Sequence, residues 1–297
     1  MRSKLNSVGL VLALALAGMA APASATSTWQ MWDNTNPTAC TNSGGATSMG
    51  NAYNCNAVAS GDPTMNATAW STTGAGDSFA AASIQRWNWT STPNTPVVMA
   101  GQSTGYDYGV VSTSDGSNAV FTGEHSMDNS GDVDLIALSF SEQVALTSVS
   151  IGWYSNDADI SVLRWVGTTA PSSIGAAIGG LTTASLLANG WELVGHYTNL
   201  QDDVAAPAKT AEITTAGASS WWLISAYSSG YGAGTTDHGG TVGTSFGGSV
   251  DMVKLLQVAG NVVEPPPPNE TPEPLSLALL GIGMVGVAAT RRRRTQA

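Results

Sequence analysis

Charge is scarce in this chain of 297 residues, with Asp, Glu, Lys and Arg together only 10 % of it. Basic residues are the scarcest part. There are 10 Lys and Arg against 21 Asp and Glu, a net charge of −11. Phosphate neutralisation needs clustered Lys and Arg, so nucleic-acid binding is excluded as an expectation. Three histidines and two cysteines leave too few soft or imidazole ligands for a zinc-protease or zinc-finger spacing. No apolar run reaches the roughly 20 residues of a comfortable bilayer span. What is abundant is Gly, at 34 residues, and hydrophobic side chains, at 42 %. That is enough to build a core, and it excludes wholesale disorder.

The few basic residues are unevenly placed. Arg2 and Lys4 open the chain and Arg291, Arg292, Arg293 and Arg294 close it. Between them stand Arg86, Arg164, Lys209 and Lys254 against all 21 acids, a balance of −17. An acidic body is bracketed by two basic ends.

Both ends read as targeting segments. Residues 1–25 carry a positive start, an apolar run from Val8 to Ala20, and the small residues Ala23-Ser24-Ala25. This is the pattern of a secretory signal peptide, and it places the mature start near Thr26. At the other end, the Pro-rich spacer 264–271 has the composition of a semi-rigid polyproline II stalk. Pro272-Glu273-Pro274, the apolar run Leu275–Thr290 and the four arginines follow within 272–297. A helix over that run is about 24 Å long against a hydrocarbon core of about 30 Å, and the arginines hold its end on the cytoplasmic side.

Pro272-Glu273-Pro274, the short apolar helix and Arg291–Arg294, in that order, resemble the PEP-CTERM sorting signal of exosortase-dependent bacterial surface proteins. The resemblance implies Sec-type export across the inner membrane, transient anchoring by the C-terminal helix, and processing by an exosortase. It further implies a cell-surface or extracellular location, commonly in an exopolysaccharide matrix. Unrelated bodies, some ice-binding proteins among them, carry the same tail. It is therefore an address and not a chemistry.

The body holds short alternating runs separated by Gly, Ser, Thr, Asn and Asp clusters. Val149, Ile151 and Trp153 alternate with Ser148, Ser150 and Gly152, a strand pattern. Further strands are expected at 108–112, 119–122, 134–140, 159–166, 191–198, 211–215, 220–227 and 250–258. One helix is expected over Ile174–Asn189, with Gly190 as its stop. Many short strands without alternating helices predict a mostly β, antiparallel sandwich or jelly-roll-like ectodomain, its core over 105–263. Residues 26–104, rich in Trp, Asn, Ser and Thr, read as a strand-poor extension closing one end. Within it Cys40 and Cys55 predict a disulfide, as expected in an exported chain.

Several groups could carry chemistry. Gly243-Thr244-Ser245-Phe246-Gly247 fits a nucleophile-elbow pattern, but every histidine precedes Ser245 and a Gly-rich loop is the better reading. Asp128, Asn129, Asp132 and Asp134 in one acidic turn, with Asp157 and Asp159 in a second, are the hard oxygen ligands a calcium ion takes. The same residues also make Asx-turns and strand caps. Paired carboxylates would serve a polysaccharide-active enzyme if they faced each other across a cleft. Trp153, Trp191, Trp221 and Trp222 could stack on sugar rings. Trp221 and Trp222 lie on opposite faces of one strand, so at most one is expected in the core.

The strings His125–Asn129, Leu135–Phe140, Val144–Trp153, Asp157–Trp165, Gly190–Leu193, Trp221–Tyr227 and Asp251–Leu255 resemble an exosortase-dependent surface-protein family without an assigned activity. The resemblance spans roughly 105–258 and the tail. It implies a shared sandwich and a shared loop site, and no catalytic residue can be carried over from it. The expectation is an exported, non-enzymatic matrix protein with a structural or binding role, toward calcium or extracellular polysaccharide. The alternative is a carbohydrate-binding module or polysaccharide-active enzyme.

Overall fold

A computed structural model of the chain describes residues 26–31, 40–42, 52–57, 59–87, 107–111, 126–169, 171–200, 209–214, 217–233 and 250–263. The signal segment 1–25, the strand expected at 119–122, the Gly243–Gly247 loop, the spacer 264–271 and the sorting segment 272–297 lie outside them. So do the sorting residues Pro272, Glu273, Pro274 and Arg291–Arg294, and the cleavage residues Ala23 and Ala25.

The chain is mostly β, and the sheet pairs antiparallel throughout its named strands. In chain order the strands are β1 Thr26–Gln30, β2 Cys40–Asn42, β3 Ala52–Cys55, β4 Met65–Gly74, β5 Ser78–Ala81, β6 Ser83–Trp87 and β7 Asp107–Val111. Then come β8 Met127–Asp128, β9 Asp134–Asn156, β10 Ile160–Trp165, β11 Trp191–Tyr197, β12 Lys209–Glu212, β13 Ser219–Ala226 and β14 Asp251–Val262. Among the described residues no helix is long and apolar enough to cross a membrane.

β9 organises the sheet because, at 23 residues, it is long enough to serve two sets of neighbours. Its first part, Asp134–Phe140, pairs with β4 on one side and β13 on the other. Its later part, from Val144 to Asn156, pairs with β14 and β12. The changeover falls at Val144, which stands opposite both Ser219 of β13 and Val262 of β14. Trp222 fixes this point, its buried indole N–H donating to the carbonyls of Val144 at 3.1 Å and Ser219 at 3.0 Å.

Strand side chains alternate faces, and here both faces of the central strands are covered. Ile136, Leu138, Val162, Trp222 and Ile224 point into one core, which they share with Val149, Ile151, Val253, Leu255 and Val258 from β9 and β14. Leu135, Ala137, Leu163 and Leu223 point the other way, into a second cluster with Phe79, Ile174, Ile178, Leu186 and Tyr231. Trp221 packs against that second cluster, so both tryptophans of the pair meet a core. Only Trp222 is fully buried, as expected of the pair, while Trp221 is half-buried because residues 171–190 cover part of the face that would otherwise be wet.

That covering segment is not the continuous helix expected over Ile174–Asn189. It is a 3-10 turn Gly175–Ala177, a four-residue helix α1 at Thr183–Leu186, and a 3-10 turn Leu187–Asn189. Ile178 caps the first turn, Gly180 at φ +78° redirects the chain beyond it, and Thr182 restarts it with a reciprocal cap to Ser185. Gly190 does stop the segment, in the left-handed region at φ +95°.

The N-terminal part is not strand-poor. Six strands lie between residues 26 and 87, with β4 paired to β9 and β1 to β14. Many of their buried positions are small or polar, such as Ala67, Ala69, Ser71 and Ser27, so hydropathy alone marks them weakly. Trp29 anchors β1, with its indole donating to the Pro63 carbonyl and its ring meeting Phe140 edge-on at 4.8 Å. Cys55 is disulfide-bonded, and the register sets Cys40, the only other cysteine, directly opposite it across β2 and β3.

Candidate functional site

Three carboxylates meet at one end of the sheet, where β9 hands over to β10 and β14 begins. Asp157, Ala158 and Asp159 form the short link between β9 and β10. β14 runs antiparallel to β9, so its first residue, Asp251, falls opposite Asn156 and bridges to Asp157. The result is Asp157, Asp159 and Asp251 with one carboxylate oxygen each within 4.8 Å of the others. The residues are 92 positions apart between Asp159 and Asp251, and only strand pairing joins them.

The protein holds all three of these side chains through its own backbone. The Asp251 carboxylate accepts from the Asp159 amide at 3.0 Å through Oδ1 and from the Asn129 side-chain amide at 2.6 Å through Oδ2. Asn129 returns the contact, its Oδ1 accepting from the Asp251 amide at 2.9 Å, and its Nδ2 also donates to the Tyr227 carbonyl. Asp159 Oδ1 accepts from the Asn199 amide at 2.8 Å. Asp159 Oδ2 is buried with no hydrogen-bond partner. Asp157 Oδ1 accepts from the Ala158 amide at 2.9 Å.

Burial dominates the electrostatics. Asp159 is 1 % exposed and Asp251 2 % exposed. Loss of water pushes the Asp251 carboxyl up to about 7, with the nearby Asp159 and Asp157 charges adding to the rise and the Asp159 amide and Asn129 opposing it. Asp159 rises to about 6, again chiefly through burial, against the Asn199 amide and with the Asp157 charge. Tyr227 feels the same acids, its phenol pushed upward by burial and then by Asp159 and Asp251. This corner carries more negative charge than the interior tolerates.

The structure brings together some of the acids singled out in the sequence. Asp157 and Asp159 are in the cluster, and Asn129 orients Asp251 beside it. Asp128 is next door, since β8 pairs with β14, but its carboxylate accepts from the Ser130 amide. Asp132 and Asp134 do not belong to the trio. Asp134 opens β9 near Tyr231, whose hydroxyl donates to Ser225 while Ser225 donates to the Asp134 carbonyl. Asp251 is the residue that sequence reasoning missed.

The sugar-stacking expectation fails at two tryptophans. Trp191 is 2 % exposed and Trp222 0 %, and both indole N–H groups are spent on main-chain carbonyls. Trp221 is half-buried against Trp165, ring centroids 5.5 Å apart and tilted 57°, which is not a flat platform. Trp165 in turn meets Trp191 edge-on at 5.4 Å. The side chain of Trp153 lies outside the described residues.

Elsewhere a buried His196 bridges β10 to the turn after β13. Its Nδ1 accepts from the Ser161 hydroxyl at 2.8 Å, and its Nε2 donates to the Gly232 carbonyl at 3.0 Å. Burial holds its pKa below the ordinary value, although the Gly232 carbonyl pulls the other way. Ser161 is itself buried, so this Ser–His pair is a strut of the fold.

No protein-family model matches the chain, and no curated protein and no solved structure matches it.

Proposed function

We propose that this chain is an exported, exosortase-processed protein of the cell surface or extracellular matrix, with a structural and binding role rather than a catalytic one. In this reading its body is an antiparallel β-sandwich related to the jelly roll. The two pairing partners of β9 and the core shared between its halves support two packed layers.

One observation carries the non-catalytic reading. The strongest concentration of acids among the described residues is turned inward, with Asp159 and Asp251 buried and tied to backbone amides that join strand ends. Acids that cleave a glycoside flank a sugar some 5–9.5 Å apart. These converge within 4.8 Å, with two of the three side chains buried, which suits fastening a frame. The export and sorting parts of the proposal rest on residues 1–25 and 264–297.

Intact mass of the protein recovered from envelope and medium tests the reading. The expected species begins near Thr26, has lost the segment following Pro272-Glu273-Pro274, and carries no free thiol. A full-length chain retained in the cytoplasm, with both ends intact, would refute it.

A further inference from the structure

We infer that Asp157, Asp159 and Asp251 form a binding site for a divalent cation of the calcium class at the junction of the β9–β10 link with the start of β14. The inference goes beyond the proposed function and stands whether or not the chain is exported.

Two independent observations point to a ligand. The first is convergence, three carboxylates drawn from two distant stretches of sequence with oxygens within 4.8 Å. The second is Asp159 Oδ2, which belongs to one of these three residues, on a side chain 1 % exposed, and has no hydrogen-bond partner. A buried carboxylate oxygen is not left unsatisfied without cost, and its sister Oδ1 is already fixed by the Asn199 amide. The orphan oxygen belongs to one of three converging acids, and a cation shared among them would satisfy it.

The chemistry of the donors narrows the ion. All three are hard carboxylate oxygens, which suit calcium or magnesium over zinc or copper. Calcium–oxygen bonds of about 2.3–2.6 Å allow ligand oxygens to stand up to about 5 Å apart across the ion, whereas magnesium at about 2.1 Å draws them within roughly 4.2 Å. Oxygens within 4.8 Å of one another lie inside the reach of a calcium ion as they stand. The holding shell is already in place. The Asp159 amide and Asn129 orient Asp251, the Asn199 amide orients Asp159, and the Ala158 amide orients Asp157. Bound there, the ion would cross-link the end of β9, the start of β10 and the start of β14.

The test uses the full chain, stripped with chelator and titrated with calcium chloride by calorimetry, with the melting temperature followed in parallel. One calcium per chain is expected, at a Kd no weaker than about 1 mM, the weak end for extracellular modules. The melting temperature should rise with calcium and rise less with magnesium. D159N and D251N should each weaken binding at least tenfold, while D132N, outside the trio, should leave it unchanged. If D159N or D251N fails to fold, terbium bound to the unaltered chain serves instead. Its luminescence should be sensitised by nearby Tyr227 and quenched by calcium. No heat and no melting shift at about 10 mM calcium, roughly ten times the weakest expected Kd, would overturn the inference. So would D159N and D251N folding and binding like the parent chain, or terbium emission that calcium does not displace.

Discussion

Replacing Trp222 by alanine should damage this protein more than any change at its neighbour Trp221. Trp222 is fully buried, and its indole N–H reaches the carbonyls of Val144 and Ser219 at the point where β9 changes partners. Truncating a buried Trp costs about 3–5 kcal/mol through lost burial and the cavity left behind. Two carbonyls would also lose a donor, adding about 1 kcal/mol or more. A total of about 4–6 kcal/mol corresponds to roughly 10–20 °C in melting temperature for a body of this size. Trp222→Phe keeps most of the ring and loses the donor, so about 1–3 kcal/mol is expected. Trp221→Ala removes a half-buried ring with no such anchor and should cost about 1–2 kcal/mol. Urea unfolding followed by circular dichroism measures all three, with the slope checked for changes in the unfolded state. The reasoning fails if Trp222→Ala costs less than about 1 kcal/mol, or if Trp222→Phe costs as much as Trp222→Ala.

Two other outcomes are expected. Gly190→Ala forces a left-handed φ of +95° on a residue with a Cβ that would stand 2.6 Å from the Trp165 ring, so a loss beyond the usual 1 kcal/mol should appear in the same unfolding assay; a neutral result would mean this turn is not as described. His196 is held below its ordinary pKa, so as pH falls through about 6.5 the unfolded chain takes a proton that the folded chain resists, and stability drops. The raised carboxyls of Asp159 and Asp251 work the other way in both chains, so the difference is the test: the urea midpoint of His196→Asn should gain on that of the parent between about pH 7 and 5, and parallel curves would contradict this.

The sequence makes the strands with regular alternation visible, because a half-buried strand writes its period directly into the residues. Val149 and Ile151 against Ser148 and Ser150 are an example, and they lie within β9. The strands of residues 26–87 are hidden since β4 buries Ala67 and Ala69, residues too small to register as a hydrophobic stripe. The stretch 174–189 has helical composition, yet Gly179-Gly180 and the Thr182 cap divide it into three single turns. The site divides along the same line. Asp157 and Asp159 stand two apart and announce themselves as a pair. Asp251 is a lone acid before an apolar run, and nothing local says that β14 will set it against Asp157. Trp191 looks available for stacking only while the second covered face of the sheet is unknown, and Trp222 only while the first core is. Pairing between distant strands is the information that local pattern lacks.

The central claim is that the buried acids form one cation site, and a crystal structure of the full chain grown with calcium tests it most directly. The account predicts a single peak among Asp157, Asp159 and Asp251, with oxygens at about 2.3–2.6 Å and Asp159 Oδ2 among them. Density showing the three side chains hydrogen-bonded to one another or to water, with no ion at millimolar calcium, would contradict it.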